Sequence, residues 1–130
     1  MAVRTVLVCE TQVPLVRGGA ELLVNLSNDS WLDAGDGGAL EQHFSMAVFR
    51  AVETRRDLVR VAGSGASGFI DASGRIVATV PRGTAGALVG SVHLRRGLTP
   101  YVRWGDTWIL LFGVAVVVGI ATGRRAEADA

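Results

Sequence analysis

Two short stretches carry the residue types that could do chemistry. The first is Val8-Cys9-Glu10, where the only cysteine of the chain stands beside a carboxylate at the end of the apolar run Thr5-Val6-Leu7-Val8. A thiolate is a strong nucleophile that can accept an acyl group as a thioester. With the carboxylate that follows directly, it makes a polar pair of the kind a buried strand delivers to its C-terminal end. The plainer reading is that a lone cysteine packs as a small hydrophobe. Both readings remain open on residue type alone. The second stretch is Ser27-Asn28-Asp29-Ser30-Trp31, a polar loop that follows the apolar run from Ala20 to Leu26. Ser, Asn and Asp satisfy their own backbone in turns, so this stretch reads as a polar loop at the end of a strand.

These residues need elements to hold them. The pattern from Arg4 to Cys9 is that of a buried strand, and in open α/β sheets ligands gather where such strands end. Pro14 is expected to stop regular structure after it, leaving Thr11 to Gly19 as a connection or a short helix. Ala20 to Leu26 reads as a second strand. Leu40 to Arg60 reads as a helix, with Phe44, Val48, Ala51 and Val52 on its buried face. Arg50 and Glu53 are spaced to pair along it. His43, near the start of this helix, reads as structural rather than as a base. Leu58 to Ala62 turns apolar as a third strand. Gly63-Ser64-Gly65-Ala66-Ser67-Gly68 resembles a phosphate cradle only superficially, since it lacks both the Lys and the spacing of one. Residues 68–80 read as a hairpin turning at Gly74, and Ala87 to Leu94 as another strand.

The composition narrows the class. The 130 residues are 49% hydrophobic and 19% charged, with a mean hydropathy of +0.37 and a net charge of +1. No basic run interleaved with aromatics points to nucleic acid. One Cys excludes an internal disulfide and a cysteine-based zinc site; no metal or cofactor is expected. The N-terminus has no signal-peptide pattern, so the first residues read as already inside a fold. Near the C-terminus, Thr107 to Gly123 carries no charge and has no polar face. It reads as one transmembrane helix (residues 104–123), with Trp104 and Trp108 at one interface and Arg124-Arg125 at the other; the alternative is a buried core helix. The arginines would place the tail (residues 124–130) in the cytoplasm, and the short acidic stretch after Arg125 reads as disordered.

The order of segments resembles the C-terminal part of bacterial apolipoprotein N-acyltransferases, members of the nitrilase (carbon–nitrogen hydrolase) superfamily. The resemblance rests on Val6-Leu-Val-Cys9-Glu10, Leu23-Val-Asn-Leu-Ser-Asn-Asp-Ser-Trp31, Gln42-His43, Arg50-Ala-Val-Glu53 to Arg56, Arg60, Gly65, Ser67, Ile70-Asp71, Gly74, and Gly97-Leu-Thr-Pro-Tyr101 with Arg103 and Gly105-Asp106. It implies a partial α-β-β-α sandwich over residues 1–103, followed by the membrane helix. It also implies fatty acyl transfer from a phospholipid donor to the N-terminal cysteine amine of a lipoprotein acceptor, at the bacterial inner membrane with the catalytic part on the periplasmic side. Cys9 would be the nucleophile, Glu10 the pocket carboxylate and backbone oxyanion donor, and Asn28, Asp29 and Trp31 the substrate-binding loop.

The chain departs from the family's pattern in places that matter. Family members also use a Glu base and a Lys upstream of the Cys, and this sequence contains no Lys; as given it is expected to be inactive alone. The family has an aromatic residue between Cys and Glu, whereas Cys9 and Glu10 are adjacent. Alignment on Glu10 and Pro14 would instead put Val8 at the nucleophile position, on the opposite face of the strand. Gly63-Ser64-Gly65 replaces an Asn-Asn-Gly, and Leu32 a Phe. The alternative functions are a split or decayed membrane-anchored paralog and an amide hydrolase of the same superfamily.

Overall fold

The computed structural model of the chain describes residues 5–7, 12–32 and 38–128. Five strands form one sheet in the order β1-β2-β3-β4-β5. They are Thr5–Leu7, Leu22–Ser27, Leu58–Ala62, Ser67–Ile70 and Ile76–Val80. β1, β2 and β3 run parallel, so the two connections between them must cross over, and both carry a helix. β4 and β5 return antiparallel as a hairpin beside β3. Four helices follow in chain order: α1 (Gln12–Arg17), α2 (Gly38–Thr54), α3 (Pro100–Trp104) and α4 (Thr107–Ala128).

Alternation along the strands sorts the side chains. The register sets Leu23 beside Leu58 and Leu58 beside Ile70 on one face. There they meet Val16 of α1, Ala47 and Ala51 of α2, and Val102 of α3 in a single apolar cluster. The small residues Ala47 and Ala51 let α2 lie close to the sheet. α4 adds nothing to this cluster among the described residues.

Pro14 does not stop regular structure; it sits within α1, in the first turn, where its missing N–H has no helical partner to lose. α2 ends at Thr54, six positions short of the expected Arg60. Arg55 adopts φ 52°, the left-handed conformation that closes helices, and Arg56 turns inward. The buried face of α2 is Leu40, Ala47, Ala51 and Thr54, with Phe44 and Val48 partly covered. Val52, expected inside, is exposed. The hairpin forms as its pattern implies. Gly74 has φ 86° and its N–H donates to the Asp71 carbonyl, while Asp71 Oδ1 accepts from the Ser73 and Arg75 N–H groups.

Ala87 to Leu94 is not a strand. Residues 81–99 cross the far face of the sheet as an irregular strap, with no ladder partner. The strap is held toward its C-terminal end. The His93 N–H donates to Asp57 Oδ2 at 2.8 Å, and the Arg95 N–H donates to the Glu21 carbonyl at 3.1 Å. Gly90 lies against the Phe69 ring, where a Cβ would come within 3.1 Å. A cavity of about 490 Å³ remains beneath the strap, walled by Val59, Val61, Phe69 and Val80.

Two expectations about architecture are corrected. Among the described residues there is one mixed α/β sheet with helices on one face, not two stacked sheets. The C-terminal segment is helical, but no helix among the described residues is long and apolar enough to cross a membrane. The uncharged run at residues 107–123 measures only about 25 Å as a helix, against a hydrocarbon core of about 30 Å. The helix then continues through Arg124, Arg125 and Glu127 to Ala128, so the expected disordered tail is largely helical as well.

Candidate functional site

The parallel strands β2 and β3 end at the same edge of the sheet, and a charged cluster occupies that edge. Register places Asn25 beside Arg60, both on the face that α2 covers. A guanidinium in an apolar layer needs a counter-charge and hydrogen-bond acceptors. Arg60 finds them in Asn25, whose Oδ1 accepts from NH1 at 2.9 Å, and in Asp29, whose Oδ2 accepts from NH2 at 2.7 Å. Arg60 is 1% exposed and Asp29 is fully buried. The Phe44 ring lies under the guanidinium with its centre 6.0 Å away. Arg60 Nε has no partner among the described residues.

The other oxygen of Asp29 is also occupied. Ser27 Oγ donates to Asp29 Oδ1, and His43 Nδ1 lies 3.0 Å from the same oxygen. A carboxylate only accepts, so Nδ1 holds its proton toward Asp29. The Arg60 amino group 3.3 Å from Nδ1 is then a neighbour rather than its donor. The Gly63-Ser64-Gly65 turn closes the far side. A Cβ on Gly65 would fall 2.3 Å from Asp29 Oδ2, so only glycine lets the chain pass there. A carboxylate at that distance also disfavours any phosphate in this glycine-rich turn.

Burial works against ionisation of Asp29, but the Ser27 hydroxyl, Arg60 and His43 outweigh it and hold the carboxyl below the usual carboxylate range. A depressed folded-state pKa stabilises the protein at pH values above the unfolded carboxylate's, about 4. That contribution is lost as pH falls through the folded value. Urea unfolding followed from pH 7 to pH 2 is therefore expected to show a midpoint that drops in the acid range, and Asp29→Asn is expected to flatten that part of the profile.

Beyond Asp29 the loop is built for display. Asn28 Oδ1 accepts from the Ser30 N–H at 3.3 Å and from Ser30 Oγ at 2.9 Å, closing a local turn. The Leu32 N–H donates to the Asp29 carbonyl in a single 3₁₀ turn. Trp31 is left 74% exposed. An aromatic this open, on a loop whose root is fixed by a buried ion pair, is not part of the core.

No protein-family model matches the chain. Individual relatives do. An apolipoprotein N-acyltransferase of Geobacter metallireducens is 44% identical over 112 residues, which is 85% of this chain and 21% of the relative. Those of Thermotoga maritima and Vibrio cholerae are 40% and 36% identical, over 88% and 83% of this chain. The chain is homologous to the apolipoprotein N-acyltransferases. It spans about one-fifth of the length of the relatives it matches.

In this N-acyltransferase homologue, the two chemical stretches fare differently. Cys9 and Glu10 lie outside the described residues. Asn28, Asp29 and Trp31 are brought together on one loop, with Asp29 facing inward and Asn28 and Trp31 outward. His43 sits against Asp29. Among the described residues no cluster of His, Cys, Asp or Glu could hold a metal ion. Sequence reasoning missed Asn25 and gave Arg60 no role. The signal was present in Leu58-Val59-Arg60-Val61-Ala62: strand alternation puts Arg60 on the same side as Leu58 and Ala62, and a charge on a buried face implies a buried carboxylate nearby.

Proposed function

We propose that these residues form part of an acyltransferase that moves a fatty acyl group from a phospholipid to the N-terminal amine of a lipoprotein through a cysteine thioester. In the first half-reaction the Cys9 thiolate attacks the ester carbonyl, a C–S bond forms, the C–O bond breaks, and the lysophospholipid leaves as an alcohol after taking up a proton. In the second half-reaction the acceptor's α-amine attacks the thioester, an amide forms, and the thiol is regenerated with the proton lost by the amine. The Glu10 N–H donates to the oxyanion in both steps, and its carboxylate lines the pocket. Asn28 and Trp31 contact the acyl donor, while Asp29 fixes their loop. A base and a Lys of the kind used in the superfamily are supplied by residues outside this sequence, which contains no Lys. The reaction takes place at a membrane surface, where the lipid donor is found.

The observation that carries this reading is the parallel pairing of β1 with β2, Leu7 beside Val24. β1 and β2 therefore point the same way, toward the sheet edge at which the Ser27–Leu32 loop stands. Homology to enzymes named for this activity supports it independently.

The test uses the longer polypeptide that contains this segment, in membranes supplied with a radiolabelled phospholipid and no acceptor. A hydroxylamine-sensitive acyl label is expected on Cys9 and is expected to vanish in Cys9→Ala. Absence of label from the unaltered protein, or its persistence in Cys9→Ala, would remove Cys9 as the nucleophile.

A further inference from the structure

The opposite edge of the sheet carries a second charged cluster that the acyl-transfer reading does not use. Where β2 and β3 begin, a cavity of about 310 Å³ is walled by the side chains of Arg17, Arg56, Arg95 and Arg96, with Glu21 as the only carboxylate in its lining. Asp57 stands behind, within 3.4 Å of Arg95 Nε. Four guanidiniums therefore face two carboxylates.

The four arginines are held in different ways. Arg56 is 2% exposed and its donors all go to backbone carbonyls: Nε to Ala20, NH1 to Thr54 and Arg55, and NH2 to Gly97. Carbonyl dipoles orient the cation without neutralising it. Burial lowers the Arg56 pKa; Glu21 raises it and Arg95 lowers it again, so the net direction is down. Arg17 donates to the Val102 and Arg103 carbonyls and is likewise uncompensated. Arg95 and Arg96 use Nε for Asp57 and Glu21, leaving the terminal amino groups of both without a partner among the described residues. Those two side chains are 48% and 77% exposed, so a solute can reach them. Planar forks with free terminal N–H groups suit a tetrahedral oxyanion, which they can engage in pairs.

We propose that this cavity, between the start of β2 and the 95–98 segment, binds a phosphate-class anion, either free phosphate or the phosphodiester of a lipid headgroup. The anion takes the free amino groups of Arg95 and Arg96 and sits in the field of Arg17 and Arg56. The site lies at the far end of the sheet from the Ser27–Leu32 loop and does not depend on thioester chemistry at Cys9.

The test titrates inorganic phosphate into the full chain by calorimetry at ionic strength held constant with chloride. In parallel, the chain is floated with phosphatidylglycerol vesicles and with neutral phosphatidylcholine vesicles. The pair Arg95→Gln and Arg96→Gln is compared with Arg75→Gln and Arg82→Gln, which remove the same charge elsewhere. Circular dichroism checks that each variant folds, and Arg96→Gln alone, at a side chain 77% exposed, serves if the pair does not. Binding of phosphate that weakens at least tenfold in the Arg95/Arg96 pair and not in the control pair supports the site with free phosphate as its source. Flotation with phosphatidylglycerol alone, lost only in that pair and without phosphate binding, supports it with the headgroup as its source. No binding in either arm, or equal loss in both pairs, overturns it.

Discussion

Arg60→Met is expected to destabilise the folded chain by about 3–5 kcal/mol, the cost of leaving a buried carboxylate without its cation. The substitution keeps the length and apolar stem of the side chain, so packing changes little. What it removes is the guanidinium that serves Asp29 Oδ2 and Asn25 Oδ1 at once. Asp29 would keep Ser27 and His43, two partners on its other oxygen. Chemical denaturation at pH 7 should show a lowered midpoint with an unchanged slope. Part of the loss should return at pH 3.5, where Asp29 in the variant is protonated more readily. A double variant, Arg60→Met with Asp29→Leu, should be less destabilised than the sum of its singles, because the second change removes the charge that the first one strands. A single-variant loss under 1 kcal/mol would mean the pair is solvated in solution.

Arg56→Met is expected to cost about 3 kcal/mol or more, by a different route. No carboxylate is its hydrogen-bond partner. Its donors satisfy the carbonyls of Ala20, Thr54, Arg55 and Gly97, in three separate parts of the chain. Each buried acceptor left without a donor costs about 1–3 kcal/mol, less where water can enter. Arg56→Lys should recover little, since one ammonium cannot span acceptors that a planar fork reaches on two sides. Amide hydrogen exchange distinguishes this from general loosening: the Arg95 N–H, bonded to Glu21, should exchange faster in the variant while the amides of β2 and β3 stay protected. Uniform acceleration across the sheet would contradict the assigned role.

Strands and the hairpin were legible because alternation and turn chemistry are local. Leu22–Ser27, Leu58–Ala62 and the Gly74 turn follow from residue pattern alone. The end of α2 was not, because nothing apolar stops at Thr54. The helix closes when Arg55 takes a left-handed conformation and Arg56 finds carbonyls 36 and 41 residues away. Ala87 to Leu94 has the composition of a strand but no neighbour to pair with, and pairing is a property of the whole sheet. The apolar C-terminal run was read by its lack of a polar face, whereas no helix among the described residues is long and apolar enough to cross a membrane. At the candidate site, the loop from Asn28 to Trp31 was visible as turn chemistry. The ion pair at its root was not, because Asp29 and Arg60 are brought together only by the β2–β3 register.

The strap across the far face of the sheet has a consequence for how the molecule comes apart. Residues 81–99 belong to no ladder and contribute little to the apolar cluster, so their order depends on a few polar clasps to Glu21, Arg56 and Asp57. Segments secured in this way open at lower free energy than the strands beneath them. Partial unzipping would uncover Val59 and Phe69, beside the already exposed Val61, while the helical side stays intact. Molecules in that half-open form would stick to one another through these side chains, so handling losses should begin at concentrations and temperatures where the main cluster is still whole.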